Sequence, residues 1–189
     1  MNGSDWDMAF ETGHYPYGLL ERALGAALDV GEGVQRGALR SRLKRFAQLG
    51  LPESLEGQEG RRLYSQEEAH QMLIALLLGN LGLDPTVVAR AVKKVWSRNL
   101  KPGAKEAAQE ADAKKQIGDP MVLHAILRVV SGPWRAKDPN AALTITALQR
   151  RSKRGAAFGF ESLGTVEWTA ALNYTEAVTD LHRALNRGE

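Results

Sequence analysis

Over much of the chain the apolar side chains recur at spacings of three and four, the helical period. Tyr17, Leu20, Leu24, Ala27 and Leu28 share one face, Pro16 suits a first helical turn, and Gly31-Glu32-Gly33 breaks the pattern. A second stripe, Val34, Ala38, Leu39, Leu43 and Phe46, predicts a helix over 34–49. Gly50 ends it and Pro52 keeps it from resuming. Ser65-Gln66-Glu67-Glu68 reads as a capping box, in which Ser65 caps the helix and Glu68 returns the bond. The helix that follows is apolar nearly all round from Ala69 to Leu77, so it should be buried on several sides. Asp84-Pro85 then supplies an N-cap and a first-turn proline for a helix with the stripe Val88, Ala91, Val92, Val95 and Trp96.

Elsewhere the period changes. Residues 53–60 are a polar loop or hairpin tip, and Arg61 to Tyr64 is a short extended candidate. Residues 97–119 are polar and charge-balanced, with Pro102-Gly103 as a break, and predict a linker or an exposed helix. Met121 to Val130 is apolar and turns β-branched, and Leu143 to Leu148 alternates as a half-buried strand does. Ala156–Phe160 and Val166–Thr169 are further strand candidates. Asn173-Tyr174-Thr175-Glu176 is a second capping box before the stripe Tyr174, Ala177, Val178, Leu181 and Leu185. The expected fold class is mainly α with an α+β C-terminal part. A flexible acidic N-terminus at 1–15 precedes a helical domain at 16–98. A linker or exposed helix at 99–119 then leads to a small α+β domain at 120–189.

Composition narrows the function classes. Of 189 residues, 43% are hydrophobic and 25% charged, as in ordinary globular proteins. No apolar run is long enough to span a membrane, and the first residues lack a secretory signal pattern, so a cytoplasmic location is expected. Cysteine is absent, which excludes disulfides, thiolate metal sites and cysteine nucleophiles. The net charge of +3 hides a segregation: residues 1–33 carry six acidic side chains against one basic, residues 34–64 seven basic against three acidic. Arg36, Arg40 and Lys44 follow one another at i, i+4 and i+8, so they share a helix face and repel. An anionic partner would offset that repulsion, phosphate being the natural one. The plainer reading is a solvated face, or pairing with Glu53, Glu56 or Glu59. A second basic cluster, Arg150-Arg151-Ser152-Lys153-Arg154, reads as a solvated hairpin loop.

One stretch carries a family likeness. In Leu43-Lys44-Arg45-Phe46-Ala47-Gln48-Leu49-Gly50-Leu51-Pro52, a polar loop, then Gly60-Arg61-Arg62-Leu63-Tyr64-Ser65-Gln66-Glu67-Glu68, the chain resembles the MerR family of winged helix-turn-helix DNA-binding proteins. The likeness covers about 80 residues, and its most specific part runs from Gly60 to Glu68. It aligns Lys44 with the recognition-helix arginine, Arg45 and Phe46 with the aromatic pair, and Arg62 with the wing arginine. Arg61 stands where the family has tyrosine, and Leu63 and Tyr64 match the last wing strand. The family's long dimerisation helix and its metal-binding cysteines have no counterpart here.

The resemblance implies a winged helix-turn-helix domain at 16–98 that binds double-stranded DNA. A sequence-specific regulator of bacterial or phage type is expected, and repression by occupying a promoter is its expected action, since no activation machinery is legible. The expected DNA-binding residues are Arg36, Arg40 and Lys44 toward the major groove, Arg45, Arg61 and Arg62 on phosphates, Arg42 on either, and Tyr64 on the wing. The C-terminal unit, with Trp134, Phe158, Phe160, Trp168 and Tyr174 in its core, is expected to form a homodimer through residues 120–189, helix 174–187 being the interface element. An effector is not legible. Competing readings are an excisionase-like architectural protein and a winged-helix protein-interaction module. Four isolated histidines, His14, His70, His124 and His182, give no zinc spacing, and His70 and His182 read as surface or interface residues. No phosphate loop, nucleophile elbow or paired carboxylates stand out, so neither an enzyme nor a cofactor is expected.

Overall fold

The structure, a computed structural model, describes residues 15–52, 63–113, 120–128, 142–150 and 168–187. It is mainly helical with two small antiparallel sheets. The order is β1 (Tyr15–Pro16), α1 (Tyr17–Ala27), α2 (Val34–Gln48), β2 (Leu63–Tyr64), α3 (Gln66–Asn80), α4 (Pro85–Val95), a π turn (Trp96–Leu100) and α5 (Lys101–Asp112). The chain continues through β3 (Met121–Arg128), β4 (Ala142–Arg150) and β5 (Trp168–Asn173) to α6 (Tyr174–Arg187). The candidate strand Ala156–Phe160, Trp134 and the cluster Arg151–Arg154 lie outside the described residues.

The helix boundaries follow their local chemistry. At the end of α2, Gly50 takes φ 70°, and Leu51 N–H donates to the Phe46 carbonyl at 3.0 Å while Gly50 N–H donates to Ala47. This left-handed stop brings Leu51 back onto Phe46, and both are buried. Ser65 Oγ accepts from Glu68 N–H at 3.1 Å, and Glu68 Oε2 accepts from Ser65 N–H at 2.7 Å, so the capping box forms with both partners buried. Ser65→Ala is expected to lower stability by about 1–2 kcal/mol in urea unfolding, with an unchanged denaturant slope. A loss below a few tenths would mean that the box does not hold α3. As the pattern predicts, α3 is buried over most of its surface.

Two expectations change. Within 99–119, expected to be a linker or an exposed helix, Lys101–Asp112 form α5, and Pro102, expected as a break, sits in its first turn, where a proline costs no hydrogen bond. Gly103, Ala104, Ala107 and Ala108 are buried, small enough to bring α5 against its neighbours. The π turn that feeds it is anchored by Glu67, which accepts from Trp96 Nε1 at 2.6 Å and pairs with Lys101 Nζ at 2.9 Å. On α2, Val34 and Ala38 stand outside the apolar contact, and Val34 is 91% exposed. Leu39, Leu43 and Phe46 alone of that stripe are buried.

The C-terminal sheet has the order β4-β3-β5, antiparallel throughout, with a bulge between His124 and Ala125. Met121, Leu123 and Ala125 alternate toward one face and are buried, with Ile145 beside Ala125 in register. β4 packs on α4, and α6 packs on α1, α5 and β3. The core is continuous, so residues from 16–98 and from 120–189 meet in it. The stripe Tyr174, Ala177, Val178, Leu181 and Leu185 is buried inside this one chain. A second copy would therefore have to dock on another face. No helix among the described residues is long and apolar enough to cross a membrane.

Candidate nucleic-acid interface

Helix α2 stands on a narrow base. Its buried residues, Leu39, Leu43 and Phe46, fall on one side by the helical period. Gly37, Ser41 and Gln48 lie opposite, flanked by Val34, Lys44 and Arg45, and all six are exposed. The helix carries five basic side chains and no acidic one. Such a helix turns a broad cationic face to solvent.

The basic residues do not act alike. Arg40 Nε donates to Glu21 Oε1 and Oε2 at 2.8 and 2.9 Å, and Arg36 Nε reaches the same carboxylate at 3.4 Å. Glu21 is on α1 and its side chain is 5% exposed, so this buried carboxylate joins the two helices through both arginines. Arg36 also pairs with Glu32. The row Arg36–Arg40–Lys44, expected to face a groove together, is thus split by a carboxylate from α1. Arg36 becomes half-buried, whereas the Arg40 side chain stays 64% exposed with its Nε held. Arg42, on the other flank, donates to Asn80 Oδ1 at the end of α3. Lys44 and Arg45 have no ion pair among the described residues. Arg61 and Arg62 lie outside the described residues, as do Glu53, Glu56 and Glu59.

Tyr64 belongs to a two-residue ladder in which it pairs with Tyr15 and Leu63 with Pro16. The ladder places the last residues of the expected wing against the start of α1. It also sets the Tyr64 and Tyr17 rings 6.3 Å apart, tilted by 51°. A cleft opens on each flank of α2. One, of about 350 Å³, is lined by Tyr17, Leu20, Arg40, Leu43, Lys44, Ala47, Tyr64 and Met72. The other, of about 290 Å³, lies between α2 and the end of α3, by Arg42 and Asn80.

Behind this surface lies a polar group that the sequence did not point to. His70 and His182, expected at the surface or an interface, are 0% and 1% exposed. Tyr174 Oη lies 2.5 Å from His70 Nδ1, His70 Nε2 lies 3.0 Å from His182 Nε2, and His182 Nδ1 lies 2.9 Å from Asp112 Oδ1. With Asp112 ionised, the donors run one way: Tyr174 to His70, His70 to His182, His182 to Asp112. Burial lowers the His70 pKa well below the usual imidazole value, helped by the adjacent His182, so His70 stays neutral. Burial likewise raises the Tyr174 phenol well above its usual range. For Asp112, burial pushes the carboxyl up, but hydrogen bonds from His182, Asn186 and Gln66 and the charge interaction with His182 outweigh it, and the net shift is downward. The relay joins α3, α5 and α6. The two imidazoles are a hydrogen-bond length apart, and among the described residues no group of three metal-binding side chains forms. A signal for the burial of His70 was present: it lies in the helix whose apolar surface predicts burial on several sides.

Compared with known proteins, the chain matches no family model, and neither a curated protein nor a solved structure gives a match.

Proposed function

We propose that the chain is a sequence-specific double-stranded DNA-binding regulator that reads duplex DNA with α2 and represses by occupying its site. The observation that carries this reading is the character of α2: three buried side chains, five basic ones, no acidic one, and an outward face left open. A helix of this width suits the major groove, and small residues such as Gly37 and Ser41 on its outer face permit close approach. The likeness of Gly60–Glu68 to the MerR wing supports the same reading, and the ladder of Leu63–Tyr64 with Tyr15–Pro16 is compatible with it. The contact assignment is narrower than the sequence suggested. Lys44 and Arg45 are the cations for the duplex, Arg40 adds a guanidinium anchored by Glu21, and Arg36 serves mainly to lock α2 to α1.

The test is fluorescence anisotropy with a pool of labelled duplexes, enriched for bound sequences, over a salt series. Lys44→Gln, on the side toward the groove, is expected to weaken binding by about 1–3 kcal/mol with relaxed preference at the position it reads. Arg45→Ala, on phosphate, is expected to weaken all sequences alike and lower the salt slope by about one unit. Absence of duplex binding at low salt would overturn the reading and favour a protein partner for the same helix.

A further inference from the structure

We propose that the cleft between α1, α2, β2 and α3 binds a small planar aromatic monoanion, such as an aromatic carboxylate. Three features support this ligand class. Leu20, Leu43 and Met72 give the cleft an apolar floor, and all three are buried. Tyr17 and Tyr64, tilted against each other at 6.3 Å, form an aromatic wall suited to the edge or face of a ring. Arg40 and Lys44 stand one helical turn apart on the same flank of α2 and supply the positive rim. Glu21 fixes Arg40 through Nε, and Lys44 has no ion pair among the described residues, so the rim keeps charge to offer. The volume, about 350 Å³, lies at the lower end of the range for ligand sites and fits one or two fused rings. An apolar body with one carboxylate satisfies floor, wall and rim together. A sugar or polyol would leave the floor and wall unused, and a neutral arene would leave the rim unused.

The location gives the site a consequence. Arg40, Lys44 and Tyr64 belong to the surface proposed to meet DNA, so ligand and duplex would compete. That competition, though not the site itself, rests on the DNA-binding reading.

The experiment uses the full chain and 2-naphthoate, followed by calorimetry and by saturation-transfer NMR, without DNA and then with duplex. The expected result is saturable 2-naphthoate binding, with the neutral isostere 2-naphthamide at least about tenfold weaker. Lys44→Gln, an exposed change, should weaken 2-naphthoate about fivefold. Ala47→Phe, which fills the cleft, should abolish binding while helical content is retained. If that variant fails to fold, Lys44→Gln and the amide comparison still decide. Binding undiminished in both variants, or equal binding of acid and amide, would overturn the proposal. No 2-naphthoate binding together with weaker duplex binding by Ala47→Phe would also overturn it, and would make the cleft part of the DNA surface. Cleft-dependent 2-naphthoate binding with no duplex binding would uphold the site and remove the DNA-binding reading.

Discussion

Replacing His70 with alanine is expected to lower stability by about 3–5 kcal/mol, measured by urea unfolding near pH 8. Two costs combine. The ring is fully buried, so its loss leaves a cavity that the surrounding helices close only in part. It also removes the partner of Tyr174 Oη and of His182 Nε2, both inside the core. A buried polar group that loses its partner costs about 1–3 kcal/mol, since water cannot replace the bond. Tyr174→Phe, which keeps the ring and deletes the hydroxyl, should cost less, about 1–2 kcal/mol. The contrast separates packing from hydrogen bonding. If His70→Ala cost less than 1 kcal/mol, the relay would not join α3 to α6 as described.

Acid should unfold this protein earlier than its carboxylates alone would dictate. The folded state holds His70 neutral to well below the usual imidazole pKa of 6.5, while the unfolded chain takes up that proton near 6.5. Below that pH the unfolded state binds more protons, so stability rises with pH up to about 6.5 and falls beneath it. The slope approaches about 1.4 kcal/mol per pH unit for this one proton. The groups that meet His70 reinforce the sign: Tyr174 stays protonated and neutral, and the neighbouring His182 disfavours a second charge on His70. Asp112 acts later. Its folded pKa is below 3.8, so it contributes stability above that value which is lost as pH falls further. Urea midpoints taken from pH 8 to pH 5 check the first stage. His70→Gln, which keeps hydrogen-bonding capacity without a proton to take up, should flatten the dependence. An equal slope in that variant would assign the effect to other groups.

Local signals in the sequence were read well where one turn of chain decides the outcome. The Ser65–Glu68 box, the Asp84 cap, the Gly50 stop and the strand at 143–148 each depend on neighbours within a few residues. At the exposed end of α2, Val34 and Ala38 have the spacing of a buried stripe yet stay exposed. Burial depends on a partner, and periodicity shows only the face that could be buried. The same limit hid the role of Arg36 and Arg40. Their i, i+4 spacing is visible, whereas Glu21 arrives from 15 and 19 positions earlier through packing of α1 on α2. The polar composition of 97–119 suggests a linker or an exposed helix, and the burial of the helix is not legible because alanine and glycine give a weak hydrophobic signal. In α5 those small side chains are what let the helices approach. His70 and His182 are separated by 112 positions, and no local pattern brings such residues together.

The packing of α1 on α6 has a consequence for how the protein is made. Residues 28–173 must be synthesised between the two helices that cover each other. At roughly 5–20 residues per second that is about 7–30 s, during which α1 lacks one of the helices it packs on. The nascent chain can form α1 and α2, joined by Glu21, but it cannot close its core on the ribosome until α6 has emerged. Closure of the core therefore waits for α6, and the N-terminal helices present an apolar surface suited to a chaperone in the interval.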